Sequence, residues 1–332
     1  MKIIDKITIL TDPIPEGKYF FKEYSKIIIR SLLGFINYKS KYYSHKKYRG
    51  HFAVTKSLVV GLKLNNFDFN YNPRRLTKLS RTVVVLAGVR TLRQAIEFKQ
   101  KGLIDKIFAG PNIVVFSADE NSLLANPLID FVITPSNWVI DLYISENPSL
   151  VDRIFSWPAG VDVDFWKPSN NIVRDQILIY EKRKQSYGPD ISIESIHDYL
   201  ILLGYNVKIL RYGTFDQTIF LNELRKSQLF LGFSYGPESQ SIAWAEAWSV
   251  DVPSLIWNHK GFELSGRKLI YSTAPYLSTE TGLFFNDFED FKLKFKQWEL
   301  NKNIFNPRKW VLTNMSDSVC AESLINKITK RI

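Results

Sequence analysis

The stretch LFLGFSYGPESQSIAWAEAWSVDVPSLIW (229–257) decides how this chain folds. It opens with a continuous apolar run to Ser234, as expected for a strand buried on both faces of a parallel sheet. A short loop, Tyr235-Gly236-Pro237, leads to Glu238, and the spacing predicts a helix over 239–250. Asp251 ends that helix, and PSLIW (253–257) begins another apolar run. Strand, loop, helix and strand in that order make a β-α-β unit.

The alternation continues on both sides. Upstream, strands are predicted at 176–180 and 206–212, with helices over 192–203 and 217–227. Downstream, helices are predicted over 288–301 and 315–330. The first half repeats the pattern, with strands at 6–12, 82–88, 113–119 and 130–136. Its helices are predicted over 19–35, 51–64, 91–102 and 137–145, and 153–161 closes the half. The polar, proline-bearing segment KPSNNIVR (167–174) reads as a linker. The expected fold class is therefore α/β: two doubly wound, Rossmann-like domains facing a cleft, divided at 168/169.

Composition agrees with two globular domains. The 332 residues are 45% hydrophobic and 23% charged, which excludes wholesale disorder. Lys and Arg number 44 against 33 Asp and Glu, a net charge of +11 that favours anionic partners. The basic, aromatic stretch KSKYYSHKKYR (39–49) reads as a solvated loop, or as a patch for an anionic membrane or an acidic glycan. No nucleic-acid motif accompanies it, so nucleic acid is not an expected partner. The single cysteine, Cys320, excludes an intramolecular disulfide framework. No secretion signal is evident, and uncharged runs such as 227–237 fall short of the roughly 18 residues a spanning helix needs. The expected location is cytoplasmic, with peripheral membrane contact open.

Missing motifs narrow the chemistry. The sequence has no G-x-G-x-x-G after its first strand, no P-loop, no H-E-x-x-H and no paired Cys/His spacing. His45, His51, His197 and His259 are scattered and read as surface or structural residues. What remains is the pair Glu238 and Glu246, eight residues apart. On a helix, at about 100° per residue, they would stand about 80° apart and two turns along the axis. The amides of Ser239, Gln240 and Ser241 would lie at the helix mouth, where a phosphate binds. A phosphate cradle between two carboxylates suits a nucleotide sugar. The plain alternative is two solvated glutamates, the first favouring the helix dipole.

Glu238 to Glu246, with Ala247-Trp248 and Asp251-Val252-Pro253, resembles the E-x7-E region of retaining glycosyltransferases of the GT-B fold. It is most similar to family 4 (glycosyl transferases group 1), whose pattern runs E-S-x-G-x-x-x-x-E-A-x-x-x-x-x-P. Ile133-Thr134-Pro135-Ser136-Asn137-Trp138, then Trp157-Pro158-Ala159-Gly160-Val161-Asp162 and Phe165-Trp166-Lys167-Pro168, resemble that family's passage into the linker. Ser272-Thr273-Ala274-Pro275-Tyr276-Leu277 and Thr281-Gly282-Leu283-Phe284-Phe285 resemble the tail of its nucleotide domain. The similarity covers 131–168 and 212–285; the first 130 residues match in layout only.

The resemblance implies an acceptor-side domain over 1–168, a nucleotide-sugar domain over 169–304, and a C-terminal helical segment, 305–332, packing back on the first. It implies that Glu238 contacts the donor sugar and steadies developing positive charge, and that Glu246 holds the ribose diol. Amides of Ser239, Gln240, Ser241 and Ile242 would meet sugar and diphosphate. Gly17 would admit backbone to the phosphates or acceptor, or is a plain turn. The family's Gly-Arg-x(4–5)-Lys-Gly is replaced by Tyr180-Glu181-Lys182-Arg183-Lys184-Gln185, so Lys182, Arg183, Lys184 and, after the next strand, Arg211 are the candidate cations. The family's first-half histidine is also absent, and Asp119 is the substitute catalytic candidate. No metal or cofactor is implied; Asp162-Val163-Asp164 falls within the linker passage. The implied co-substrate is a UDP or GDP sugar, and the acceptor a glycan, glycoprotein or lipid-linked species of polysaccharide assembly. A non-catalytic two-lobed binding protein and a GT-B-like sugar-nucleotide epimerase are the alternatives.

Overall fold

The computed structural model describes residues 6–11, 50–73, 75–182, 191–264 and 266–332. The chain divides into two compact units, one of residues 1–160 with 320–332, the other of 161–319. Each is built around its own parallel sheet.

The first sheet has six strands: β1 (Lys6–Leu10), β2 (Asp68–Tyr71), β3 (Thr82–Ala87), β4 (Lys106–Asn112), β5 (Phe131–Thr134) and β6 (Ile154–Ser156). Their order is β2-β1-β3-β4-β5-β6, parallel throughout. Helices α1 (His51–Leu64), α2 (Val89–Gln100) and α3 (Asn137–Glu146) lie between the strands in the chain. Val83, Val85, Ile107 and Ala109 pack against Leu92, Ala95 and Ile96 of α2 and Val139 and Tyr143 of α3. The alternate residues Val84, Leu86 and Phe108 are also buried, so both faces of the sheet are covered, and TVVVLA is apolar throughout for that reason.

The first half departs from the sequence reading in two strands. Residues 113–119 are not a strand; the fourth strand is Lys106–Asn112, sequence KIFAGPN. Ile113 and Phe116 are buried and Val115 is 65% exposed, so the apolar run there packs as a loop without pairing in the sheet. The real strand was hidden by its glycine and proline. Gly110 sits at φ 128°, and a Cβ there would come within 2.0 Å of the Ile133 carbonyl oxygen on β5. Only glycine allows that approach. Strand β2 (DFNY) was also unread.

The second sheet has β7 (Gln176–Glu181), β8 (Asn206–Arg211), β9 (Ser227–Phe233), β10 (Ser254–Trp257) and, beyond a two-residue ribbon of β11 (Glu263–Leu264) and β12 (Arg267–Lys268), β13 (Gly282–Phe285). Its order is β13-β10-β9-β7-β8, again all parallel. One face packs Ile177, Ile179, Leu229, Leu231 and Leu255 against α4 (Ile193–Leu202) and α7 (Phe288–Leu300). Fully burying a side chain such as Phe295 contributes about 2–3 kcal/mol. The other face carries an aromatic cluster with α5 (Gln217–Lys226) and α6 (Ile242–Ser249): Tyr180 lies 5.2 Å from Phe220 and 5.6 Å from Trp244, centroid to centroid.

The boundaries differ from the sequence reading. The division falls at 160/161 rather than 168/169, and the expected linker belongs to the second unit. Arg174 anchors it through the carbonyls of Asp251 and Val250, and Trp166 is buried against Phe220. Helix α8 (Pro307–Asn314), not foreseen, also belongs to that unit, where Arg308 donates to the Ser249 carbonyl at 2.5 Å. Of the expected closing segment 305–332, only 320–332 counts with the first unit. There α9 (Asp317–Thr329) buries Ala321, Leu324 and Ile328, and Trp157 Nε1 donates to the Cys320 carbonyl at 2.8 Å.

Candidate functional site

In open α/β sheets the carboxyl ends of the two strands where the order reverses frame a crevice, the usual place for a ligand. In the second sheet that point lies between β7 and β9. Lys182 is the first residue beyond β7 and Ser234 the first beyond β9, and Glu238 follows four residues later. These three meet. Lys182 Nζ donates to Glu238 Oε2 at 2.5 Å, and Ser234 Oγ donates to Oε1 at 2.6 Å. The Glu238 side chain is 5% exposed and that of Lys182 24%. Desolvating a carboxylate is costly, and these two partners offset that cost.

The backbone holds the cluster in place. Lys182 N–H donates to the Phe233 carbonyl at 2.8 Å, extending the β7–β9 ladder one step beyond the sheet. Glu238 N–H donates to the Ser272 carbonyl at 2.9 Å. Beside it, the Thr273 carbonyl accepts from Trp244 Nε1 at 2.8 Å and from Ser241 Oγ at 3.3 Å. Ser272 and Thr273 thus tie the loop of Glu238 to the start of α6. Neither Ser234 nor these two was singled out as a site residue. Ser234 had a readable signal, as the first polar residue after a buried strand.

Helix α6 begins at Ile242, three residues later than the spacing predicted. Ser241 caps it at φ 49°, ψ 46°, a left-handed conformation that turns the chain into the helix. The family pattern has glycine at this position, which such a conformation favours. Glu238 therefore stands off the helix, and the expected 80° relation to Glu246 does not apply. The amides of Ser239, Gln240 and Ser241 are loop amides. Those at the helix mouth belong to Ile242 and Ala243, which have no carbonyl within the helix to bond. Ile242, Ala243 and Glu246 form the half-buried face of α6, while Trp244, Ala245, Ala247 and Trp248 are buried completely. Glu246 thus stands one turn above the mouth, on the same stripe as Ile242. Ser239 is exposed and Gln240 buried.

The other cations are placed differently. Arg211 ends β8 and is half-exposed; its Nε donates to Glu181 Oε2 at 2.9 Å, across the β7–β8 register. Arg183, Lys184 and Gly17 lie outside the described residues, as does the basic stretch 39–49. Asp119 stands in the loop beyond β4, not at a strand end. Its Oδ2 accepts the Phe116 N–H at 2.9 Å, and Glu120, Asn121 and Ser122 after it are left-handed at φ 56–58°. Glu146 reaches the same loop, accepting from Ser117 Oγ at 3.0 Å. Burial, with Asp119 and Glu146 nearby, pushes the Tyr143 phenol well above its ordinary range.

His259, read from sequence as a surface or structural residue, lies just beyond β10 on the same carboxyl edge. Its Nδ1 is 2.5 Å from the Tyr271 hydroxyl, and its ring packs 4.8 Å from Trp257. Burial holds its pKa below the usual imidazole value, and burial pushes Tyr271 up to about 12. Tyr235 is pushed to about 12 by burial and by Glu181 and Glu194. Asp162 Oδ1 accepts the Phe165 N–H at 3.0 Å, closing a turn. Among the described residues, no group of three or more His, Cys, Asp or Glu is placed to hold a metal ion, and no helix is long and apolar enough to cross a membrane.

No protein-family model matches the sequence, and no curated protein matches it. Solved structures match the fold along its whole length. A glycosyltransferase from Rickettsia africae ESF-5 superposes with a TM-score of 0.54 at 13% identity, covering 99% of both chains. The lipopolysaccharide outer core galactosyltransferase WaaB, in its apo form, gives 0.53 at 11% identity, covering 98% of this chain and 100% of that one. Anabaena Alr3699/HepE in complex with UDP and glucose gives 0.52 at 11% identity, with the same coverage. Two of these neighbours bear the names of sugar transferases, and the chain shares with all three an architecture of two parallel-sheet, Rossmann-like α/β domains.

Proposed function

We propose that this chain is a glycosyltransferase of the retaining, family 4 type, moving a sugar from a nucleotide-diphosphate donor to a glycan, glycoprotein or lipid-linked acceptor. The observation that carries the reading is the cluster of Lys182, Ser234 and Glu238 at the reversal point of the second sheet. It combines a cation for phosphate with a carboxylate for a sugar, on a fold like that of known glycosyltransferases. One such neighbour was solved with UDP and glucose.

In this reading the donor diphosphate enters beside Lys182 and the first-turn amides of α6. Lys182 exchanges its Glu238 oxygen for a phosphate oxygen, and Glu238 is released toward the sugar. As the bond from the anomeric carbon to the leaving phosphate oxygen breaks, negative charge grows on the diphosphate and positive charge on the sugar. Lys182 and the amides take up the first, and Glu238 steadies the second. The acceptor hydroxyl attacks from the face the phosphate leaves, and its proton passes to a phosphate oxygen. The anomeric configuration is retained. Glu246, one turn above the mouth, holds the ribose diol. Charge on the leaving group falls to protein groups, so the reading calls for no metal or cofactor.

Isothermal titration of UDP, GDP and their sugar conjugates into wild type and Glu246→Ala tests it. Saturable binding of one nucleotide series, weakened about tenfold in the variant by loss of a charge-assisted hydrogen bond, is expected. A folded protein that binds neither series overturns the assignment.

A further inference from the structure

A second polar pair stands on the carboxyl edge of the second sheet, and the donor reading leaves it without a task. Strand β9 lies between β7 and β10. Glu238, which follows β9, therefore has Lys182 toward β7 and the segment after β10 on its other side. In that segment His259 and Tyr271, both half-buried, meet at 2.5 Å, Nδ1 to hydroxyl. Two links tie them to Glu238. Tyr271 directly precedes Ser272, whose carbonyl takes the Glu238 N–H at 2.9 Å. The His259 ring packs 4.8 Å from Trp257, and Trp257 packs 5.3 Å from Tyr235, three residues before Glu238.

Proton accounting says what the pair can do. The Tyr271 oxygen accepts the Phe262 N–H. With that lone pair used, both groups are satisfied when the hydroxyl donates to His259 Nδ1. Burial favours the neutral imidazole. A neutral ring that accepts at Nδ1 carries its proton on Nε2 and offers one donor in a fixed direction. Glu238 is the complement, since an ionised carboxylate only accepts. A sugar hydroxyl both donates and accepts, so the carboxylate meets half of what a sugar brings. In the donor reading Lys182 is committed to phosphate. The other half calls for an uncharged N–H, and His259 has one to give.

We propose that His259, oriented by Tyr271, hydrogen-bonds a hydroxyl of the donor sugar and so sets which nucleotide sugar the site accepts. His259 touches the substrate in this arrangement, and Tyr271 is a positioning residue. The inference rests on the donor reading and deepens it.

The test is isothermal titration of UDP, UDP-glucose, UDP-galactose and UDP-N-acetylglucosamine, and of GDP, GDP-mannose and GDP-fucose. The proteins are wild type, His259→Ala, His259→Gln and Tyr271→Phe. Wild type is expected to prefer one conjugate of one base. His259→Ala should lose about tenfold in affinity for that conjugate, as one uncharged hydrogen bond goes, while the bare diphosphate binds as before. His259→Gln restores a side-chain N–H and should recover part of the loss. Tyr271→Phe should lose about threefold and narrow the spread among conjugates, because the ring is no longer held. If His259→Ala does not melt like wild type, the other two variants carry the test. Variants that weaken diphosphate and conjugate alike, or neither, overturn the proposal and leave the donor reading standing; the pair is then only a tie within the segment after β10. Equal binding of all conjugates by wild type overturns it as well. A folded wild type that binds no nucleotide overturns both readings.

Discussion

The two sheets share an order of strands but differ in what stands where that order reverses. In the first sheet the reversal lies between β1 and β3, and the end of β1 there is closed by neutral side chains. Asn72 closes the end of β1, its Oδ1 accepting the Thr11 N–H at 3.0 Å and its Nδ2 donating to the Thr11 carbonyl at 2.9 Å. Thr11 Oγ1 and Thr55 Oγ1 lie 3.4 Å apart beneath them. In the second sheet the same position holds a buried carboxylate and an ammonium group. The neutral clamp completes a ladder and is satisfied within the protein. The ion pair is held against a desolvation cost that apolar residues would avoid. Similar topology therefore points to two tasks, support in one unit and charge handling in the other.

The strongest way to break this contrast is to remove Lys182. Lys182→Met should abolish measurable nucleoside diphosphate binding and destabilise the second unit by about 2–3 kcal/mol, because Glu238 stays buried without its cation. The double variant Lys182→Met, Glu238→Gln should recover most of that stability and none of the binding. Urea unfolding and titration calorimetry separate the two effects. A stable single variant that still binds would make the pair an ordinary ion pair.

How much of this was readable before the structure follows the same division. In the second unit, QILIYE, SQLFLGF and SLIW are unbroken apolar runs ended by polar residues, so strands and loops fell where predicted. Glu238 and Lys182 were legible because each follows such a run. Their contact was not, since 56 residues separate them and only the β7–β9 pairing brings them together. The start of α6 was misread because a serine occupies the left-handed position where glycine would have announced the turn. In the first unit, periodicity favoured the apolar run after Asn112, a loop, over KIFAGPN. The demand for Gly110 comes from its neighbour Ile133, which local sequence does not reveal. His259 carried no sequence signal, because its significance lies in Tyr271, twelve residues on.

A weaker perturbation sharpens the contrast from the other side. Asn72→Ala leaves the Thr11 N–H and carbonyl without the side chain that serves both, and places alanine at φ 39°, where asparagine is better tolerated. A loss of about 2 kcal/mol in urea unfolding is expected, with nucleoside diphosphate affinity unchanged. Loss of affinity in this folded variant would mean that the first reversal point also serves the ligand.

The smallest effect distinguishes the units by pH. His259, in the second unit, is held below the ordinary imidazole value of about 6.5 by burial, and its Nδ1 pairs with the Tyr271 hydroxyl at 2.5 Å. Below that value the unfolded chain binds a proton that the folded chain resists, so stability rises with pH across the window between the two pKa values. The contribution is fully present above about pH 6.5 and is lost as pH falls through the folded value. Asp130, in the first unit, is raised by burial but lowered more by Lys99, the Ile107 amide and Lys106, for a net depression. Its contribution is present above the ordinary aspartate value of about 3.9 and disappears only in stronger acid. Urea unfolding followed from about pH 7.5 to pH 3 should show both. His259→Gln should flatten the dependence just below about pH 6.5 and leave the strongly acid part intact, while Asp130→Asn should do the reverse. If His259→Gln leaves the upper slope unchanged, the Tyr271 contact does not hold a neutral imidazole, and the carboxyl edge of the second sheet is more open to water than its packing implies.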